Sequence, residues 1–230
     1  MYKLILWDVD GTLLNFLEAE KAGIRKCFDL FGLGECTDEM LAAYSAINVR
    51  WWEALERGEK TKPEILVGRF TEFFTSSGID PAIAPAFNEE YQIRLGDTTV
   101  FYPGAYETVK ALYGKVPECV VSNGTGTAQY RKLAVSGLMP LMDRLFISDE
   151  IGYEKPAKEF FAPVFAAYPG VKPDEMLIVG DSLTSDMKGG VNAGIKTCWF
   201  NPEGKENKSR LKPDHEIKEI GEVIGIWEKE

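Results

Sequence analysis

Lys3-Leu4-Ile5-Leu6-Trp7-Asp8-Val9-Asp10-Gly11-Thr12 decides the reading of this chain: an apolar run the length of one strand ends abruptly on two carboxylates. The run is apolar on both alternating faces, as a parallel strand covered by helices on each side must be. Carboxylates two apart along an extended chain point to one side. At the C-terminal edge of a parallel sheet, that side faces the crevice where α/β proteins place ligands. A carboxylate there can attack phosphorus while its neighbour carries the proton for the leaving oxygen. Gly11 permits a sharp turn, and the Thr12 hydroxyl can bond within it. Read alone, the pentapeptide also fits a capped turn. A calcium loop of the EF-hand kind is disfavoured, because Leu13 and Ala19 stand where Gly and Glu are needed.

Working outward, four more runs have the same character: VPECVVS from Val116, RLFIS from Arg144, EMLIVG from Glu175 and IKTCWF from Ile195. Helical patterns over 106–113, 129–136, 159–168 and 185–193 separate or follow them. This alternation predicts a doubly wound α/β fold, a parallel sheet with right-handed crossovers. Residues 17–95 break the rhythm, with helical spacing in AGIRKCFDLF and EILVGRFTEFF and no good strand. Asp80-Pro81 has the form of a helix start, Asp capping and Pro first. The expected organisation is a core of residues 1–14 and 99–230 with a helical domain, 15–98, inserted after the first strand. Tyr102-Pro103-Gly104 marks the return to the core. Residues 202–213 read as an exposed loop before a last amphipathic helix.

Three further stretches carry candidate chemistry. Ser122-Asn123-Gly124 closes the second strand and opens a helix, offering a hydroxyl and backbone N–H groups to an anion. Lys155 precedes Pro156, which disfavours helical backbone at the lysine and suits the first turn of a following helix. An ammonium there can neutralise a phosphoryl oxygen. Asp181 ends another strand, and Asp186 lies about a turn into the next helix. Each has a plainer alternative: a strand-to-helix turn, a surface lysine, a capping acid. Together, the strand ends supply acids, a hydroxyl and a lysine. Converging carboxylates repel by roughly 4 kcal/mol per pair at about 4 Å and an effective dielectric near 20. A cation must offset this, and oxygen-only ligands favour Mg²⁺.

Composition narrows the partners. The chain has 230 residues, 45% hydrophobic and 27% charged, with a net charge of -10. That acidity argues against non-specific nucleic-acid binding, and no apolar stretch approaches a membrane span of about 20 residues. The N-terminal run lacks the form of a secretory signal, and the four cysteines form no CxxC pair. Reduced core thiols and a cytoplasmic location are expected. The single histidine, His215, lies in a charged segment and reads as an exposed surface residue, leaving histidine-based catalysis little to work with.

These motifs, in this order, resemble the haloacid dehalogenase (HAD) superfamily. The resemblance implies Asp8 as nucleophile and magnesium ligand, and Asp10 as general acid/base binding the metal through its backbone carbonyl. It implies Ser122 and Lys155 as catalytic phosphate-binding groups, with Thr12, Asn123 and Gly124 beside them. Asp181 becomes a metal ligand, and Asp186 an acid supporting the metal from behind its direct ligands. The helical insertion is similar to the family's cap, whose expected work is to close over the substrate. Ile47-Asn48 with Trp51, Gly68-Arg69-Phe70, GYEKPAKEFF and GDSLTSDMKGG with TCWFNP resemble the noncanonical pyrimidine 5'-nucleotidases. On that resemblance Asn48, Trp51 (or Trp52) and Arg69 contact the substrate, a pyrimidine nucleoside monophosphate. The expected cofactor is Mg²⁺. The expected partners are a small phosphorylated substrate, no nucleic acid and no membrane, in a monomer or small homo-oligomer. A sugar phosphatase or phosphomutase keeps both acids and stays open. A phospho-accepting signalling domain is disfavoured by the second acid and the helical insertion.

Overall fold

In the computed structural model, which describes residues 1–229, the opening apolar run forms β1 (Leu4–Trp7), with every residue buried. Its alternation is visible in the packing. Ile5 and Trp7 join one core with Val109, Leu133, Val179 and Val223. Leu4 and Leu6 join another with Val121, Phe160, Val164 and Ile178. Both faces of the sheet are therefore covered, as an all-parallel sheet requires.

After β1 the chain forms four helices: α1 (Phe16–Phe31), α2 (Asp38–Glu56), α3 (Lys62–Ser76) and α4 (Ala84–Asp97). It then runs through α5 (Ala105–Leu112), β2 (Glu118–Ser122), α6 (Gly126–Ser136), β3 (Arg144–Ile147) and the single turn α7 (Ser148–Ile151). Next come α8 (Ala162–Ala167), β4 (Met176–Gly180), α9 (Lys188–Ala193), β5 (Lys196–Phe200), β6 (His215–Ile217) and α10 (Glu222–Lys229). The six strands lie in the order β3-β2-β1-β4-β5-β6, all parallel. The chain steps outward from β1 to β3, then returns to set β4 beside β1. That reversal opens a crevice beyond the carboxyl ends of β1 and β4, where a doubly wound sheet binds ligands.

The chain divides into two compact units, Met1–Phe16 with Thr99 onward, and Leu17–Thr98. The second unit is helical, and local chemistry sets its helix starts. Thr37 accepts from the Met40 N–H, Thr61 and Glu64 form a capping box, and Asp80 caps a short 3₁₀ turn at Pro81–Ile83. An aromatic core fills it, with Phe70 against Tyr44, Phe87 and Tyr91 at ring-centroid distances of 5.0, 5.0 and 5.1 Å.

The structure corrects three local expectations. His215 is not an exposed surface residue. It sits half-buried in β6, a short edge strand, with a ring nitrogen 2.9 Å from the Tyr2 hydroxyl. Pro156 does not begin a helix, since the next helical turn opens at Lys158 and α8 opens at Ala162. The pattern over 185–193 begins earlier, as a π-helical turn (Leu183–Met187) that continues into α9. All four cysteines are free and buried, as core thiols are. Among the described residues, no helix is long and apolar enough to cross a membrane.

Candidate active site

β1 delivers Asp8 one residue past its end, where the Asp8 N–H donates to the Val179 carbonyl of β4 at 2.9 Å. The carboxylate is held on both oxygens. Thr12 Oγ1 donates to Oδ2 at 3.0 Å, and Lys155 Nζ donates to Oδ1 at 3.0 Å. Lys155 also donates to Asp186 Oδ1 and to the Val121 carbonyl, each at 2.6 Å. Its side chain is only 1% exposed. An ammonium so buried survives because two carboxylates and a carbonyl replace its water.

Asp181 follows β4 as Asp8 follows β1. One ligand oxygen from each of Asp8, Asp181 and Asp186 lies within 4.8 Å of the others. Gly11 makes room for this cluster. Its φ is +97°, and a Cβ there would come 2.6 Å from Asp181 Oδ2. Burial, and then the Asp186 charge, push Asp8 up to about 7 against the pull of Lys155. Asp181 is raised by loss of hydration and then by the charges of Asp8 and Asp186. Burial alone would lower Lys155, but Asp186 and Asp8 outweigh it and lift the ammonium above its ordinary range. Several carboxylates thus share one lysine. An all-oxygen donor set with unbalanced negative charge fits a hard divalent cation such as Mg²⁺.

Ser122 ends β2 and accepts from the Gly124 N–H at 3.0 Å. Two neighbours have other work than the expected phosphate contacts of their side chains. The Thr12 hydroxyl is fully buried, donating to Asp8 and accepting from the Asp181 N–H at 3.1 Å. The Asn123 amide brackets the lysine, with Oδ1 accepting from Lys155 N and Nδ2 donating to Lys155 O, both at 2.8 Å. Both side chains build the site instead of facing into it.

Asp10 turns toward α6. Its Oδ2 accepts from Gln129 Nε2 at 2.6 Å, and its Oδ1 is paired with Lys132 Nζ. Neither partner was foreseen. The one sequence signal is polarity within the buried stripe Ala128, Gln129, Lys132, Leu133 of α6.

Within the helical unit, Asn48 and Arg69 meet in a buried chain of polar groups. Arg69 Nη1 donates to Asn48 Oδ1 at 2.7 Å, and Asn48 Nδ2 donates to Glu20 Oε2 at 2.8 Å. Arg69 Nη2 reaches Asn88 Oδ1 at 3.4 Å, and Trp52 lies 5.9 Å from the guanidinium. Trp51 is set apart, because adjacent helical residues point about 100° from one another. Its ring rests on Gly68, and its N–H donates to Glu72 Oε2 at 2.8 Å. Of the two tryptophans, Trp52 keeps company with Arg69, while Trp51 packs on Gly68 and Glu72.

Comparison with known proteins agrees with this geometry. A family model described as haloacid dehalogenase-like hydrolase matches residues 2–194. The HAD-hydrolase YfnB of Bacillus subtilis is 35% identical over 225 residues, covering 98% of this chain and 95% of YfnB. A crystal structure of YfnB, described as bound to magnesium and as revealing interdomain movement, superposes with a TM-score of 0.90 at 34% identity, covering 99% of each chain. The pyrimidine 5'-nucleotidase PynA of Streptococcus pneumoniae is 29% identical over 99% of this chain and 96% of its own length. The pyrimidine 5'-nucleotidase YjjG of Escherichia coli is 29% identical over 95% of each.

Proposed function

The chain belongs to the haloacid dehalogenase-like hydrolases, and from that premise we propose that it is a magnesium-dependent phosphatase acting on pyrimidine nucleoside 5'-monophosphates. The observation that carries the reaction is Asp8. It is a buried carboxylate at the switch point of the sheet, held by Lys155 at 3.0 Å, with a second acid two residues on. The substrate class follows from two relatives, PynA and YjjG, named as pyrimidine 5'-nucleotidases.

Asp8 attacks phosphorus to form an aspartyl-phosphate, and the departing 5'-oxygen takes its proton from the Asp10 carboxyl. Water then attacks the phosphorus, giving its proton back to Asp10 and releasing phosphate from Asp8. Lys155 neutralises Asp8 and a phosphoryl oxygen, while Ser122 donates its hydroxyl hydrogen to another. Asp8, Asp181 and the Asp10 carbonyl would hold Mg²⁺, supported by Asp186. When bound, the metal supplies positive charge that lets an anionic nucleophile approach a phosphate. Choice of the base is assigned to the cap, where Arg69, Asn48 and Trp52 offer polar groups and an aromatic face.

The test is phosphate release across nucleotides and sugar phosphates with Mg²⁺, using Asp8→Asn as control. Preference for UMP and CMP is expected, with no turnover by Asp8→Asn. Hexose phosphates as best substrates would remove the nucleotidase assignment, and activity surviving in Asp8→Asn would remove the mechanism.

A further inference from the structure

Two polar side chains buried on α6 have no part in the reaction as derived so far. Lys132 is 0% exposed and Gln129 1%, whereas the Asp10 side chain keeps 21% of its surface open. They stand three apart on the helix, so both project from one face, and they take hold of Asp10, one on each carboxylate oxygen. We propose that Gln129 and Lys132 are positioning residues that clamp the Asp10 carboxyl where it must exchange a proton with the leaving oxygen. The inference rests on the reading of Asp10 as general acid/base.

Three observations argue for a purpose beyond packing. A fully buried ammonium is expensive to desolvate, and an apolar side chain of similar volume commonly serves stability as well or better. Here the charge is kept, with the Phe16 ring 5.7 Å from Nζ adding a cation–π contact. Second, the Gln129 amide binds Asp10 at a cost, because its Oε1 is buried without a hydrogen-bond partner. Third, Gly124 is shaped to Gln129. A Cβ at Gly124 would overlap the Gln129 amide. The turn beside Ser122 and the clamp on Asp10 are therefore built around each other.

The placement bears directly on the chemistry. As the bond from Asp8 to phosphorus forms and the ester P–O bond breaks, the electron pair goes to the leaving oxygen, which takes the Asp10 proton. In the second step the water oxygen bonds to phosphorus, the Asp8–phosphorus bond returns its electron pair to Asp8, and the water proton goes to Asp10. Proton transfer needs heavy atoms about 2.6–3.2 Å apart, so a carboxyl that wanders by about 1 Å loses much of its effect. Each clamped oxygen still has a lone pair free, since a carboxylate oxygen offers about two. An alkyl leaving group needs that proton, whereas a nitrophenolate departs as the anion.

The experiment compares Lys132→Met and Gln129→Leu with wild type in the full chain with Mg²⁺. The substrates are p-nitrophenyl phosphate and the best alkyl phosphate from the screen. For the alkyl ester, kcat/KM, which covers only the steps through formation of the aspartyl-phosphate, is expected to fall about 30-fold, part of the 10²–10⁴ that general acid–base catalysis contributes. The aryl ester should lose distinctly less kcat/KM, about 3-fold or under, since its leaving group does not wait for the proton. Equal losses of kcat/KM on both esters, or no loss on the alkyl one, would overturn the clamp. Should Lys132→Met fail to fold, Gln129→Leu carries the same comparison. A crystal structure of Gln129→Leu supplies a readout that needs no turnover. The Asp10 carboxyl should leave its wild-type position, and finding it unmoved would overturn the proposal. A wild type that releases phosphate from no ester would instead sink the phosphatase reading, with the crystallographic arm still deciding the clamp.

Discussion

Replacing Lys155 by Met removes the one ammonium that Asp8 and Asp186 share. In the native site it lies 3.0 Å from Asp8 Oδ1 and 2.6 Å from Asp186 Oδ1, and all three side chains are at most 10% exposed. Truncating one partner of a buried ion pair costs about 3–5 kcal/mol, because the remaining charge is left without compensation. The loss should fall near the lower end, since Asp8, already raised to about 7 by burial and Asp186, can take up a proton at neutral pH. For a chain of this size, about 3 kcal/mol lowers Tm by roughly 6–12 °C. The assay is thermal unfolding with and without Mg²⁺. The variant should gain more from the metal than wild type does, because added positive charge meets Asp8 and Asp186 with no ammonium left between them. A second substitution, Asp186→Asn, should recover part of the loss, since removing both partners of a buried pair is far milder than removing one. A single variant melting within about 1 °C of wild type would refute the reasoning. So would a double variant whose loss is the sum of the two singles.

Other expectations concern different parts of the chain. Glu118, in β2 and 2% exposed, is raised to about 8 by burial, against a hydrogen bond from the Trp7 N–H at 2.8 Å. Its folded value lies above its unfolded one, so its contribution to stability is complete below about pH 4.5 and is lost as pH rises toward 8. The loss is a few kcal/mol, at most about 5. Unfolding free energy measured from pH 5 to 9 should fall more steeply for wild type than for Glu118→Gln, and parallel curves would refute the assignment. Gly11→Ala forces a Cβ onto the Asp181 carboxylate at a left-handed φ of +97°. Calorimetric Mg²⁺ affinity should drop by at least about tenfold, equivalent to about 1.4 kcal/mol. Trp51→Ala should lower Tm, since the ring packs on Gly68 and its N–H holds Glu72. It should leave the preference for UMP over a sugar phosphate unchanged in the phosphate-release assay.

What could be read from the sequence follows a physical rule. Residues whose placement is set by their own strand end were legible. Asp8, Ser122 and Asp181 close or follow runs buried on both faces, and such runs announce themselves in one dimension. β6 was not legible, because a three-residue edge strand with one fully buried position pairs only with β5 and needs no apolar alternation. Helical phase explains the tryptophans. Both lie on a patterned helix, and only the packing says that Trp52, four residues from Asn48, shares the face that meets Arg69.

Thr12 and Asn123 expose a subtler limit. Their donors and acceptors suit a phosphate as well as they suit neighbouring backbone and carboxylates. Which they serve depends on geometry between strands, and the structure turns both inward, onto Asp8, Asp181 and Lys155. Gln129 and Lys132 go further, because their partner Asp10 is 119 and 122 residues away. A lysine in the buried stripe of an amphipathic helix reads as an error of pattern until its counter-charge is found. Conflict between local pattern and burial is expected where a protein gives up packing for chemistry. The same conflict at Arg69, 2% exposed among aromatic rings, marks the polar chain of the helical unit as the other place where stability alone does not explain the residues chosen.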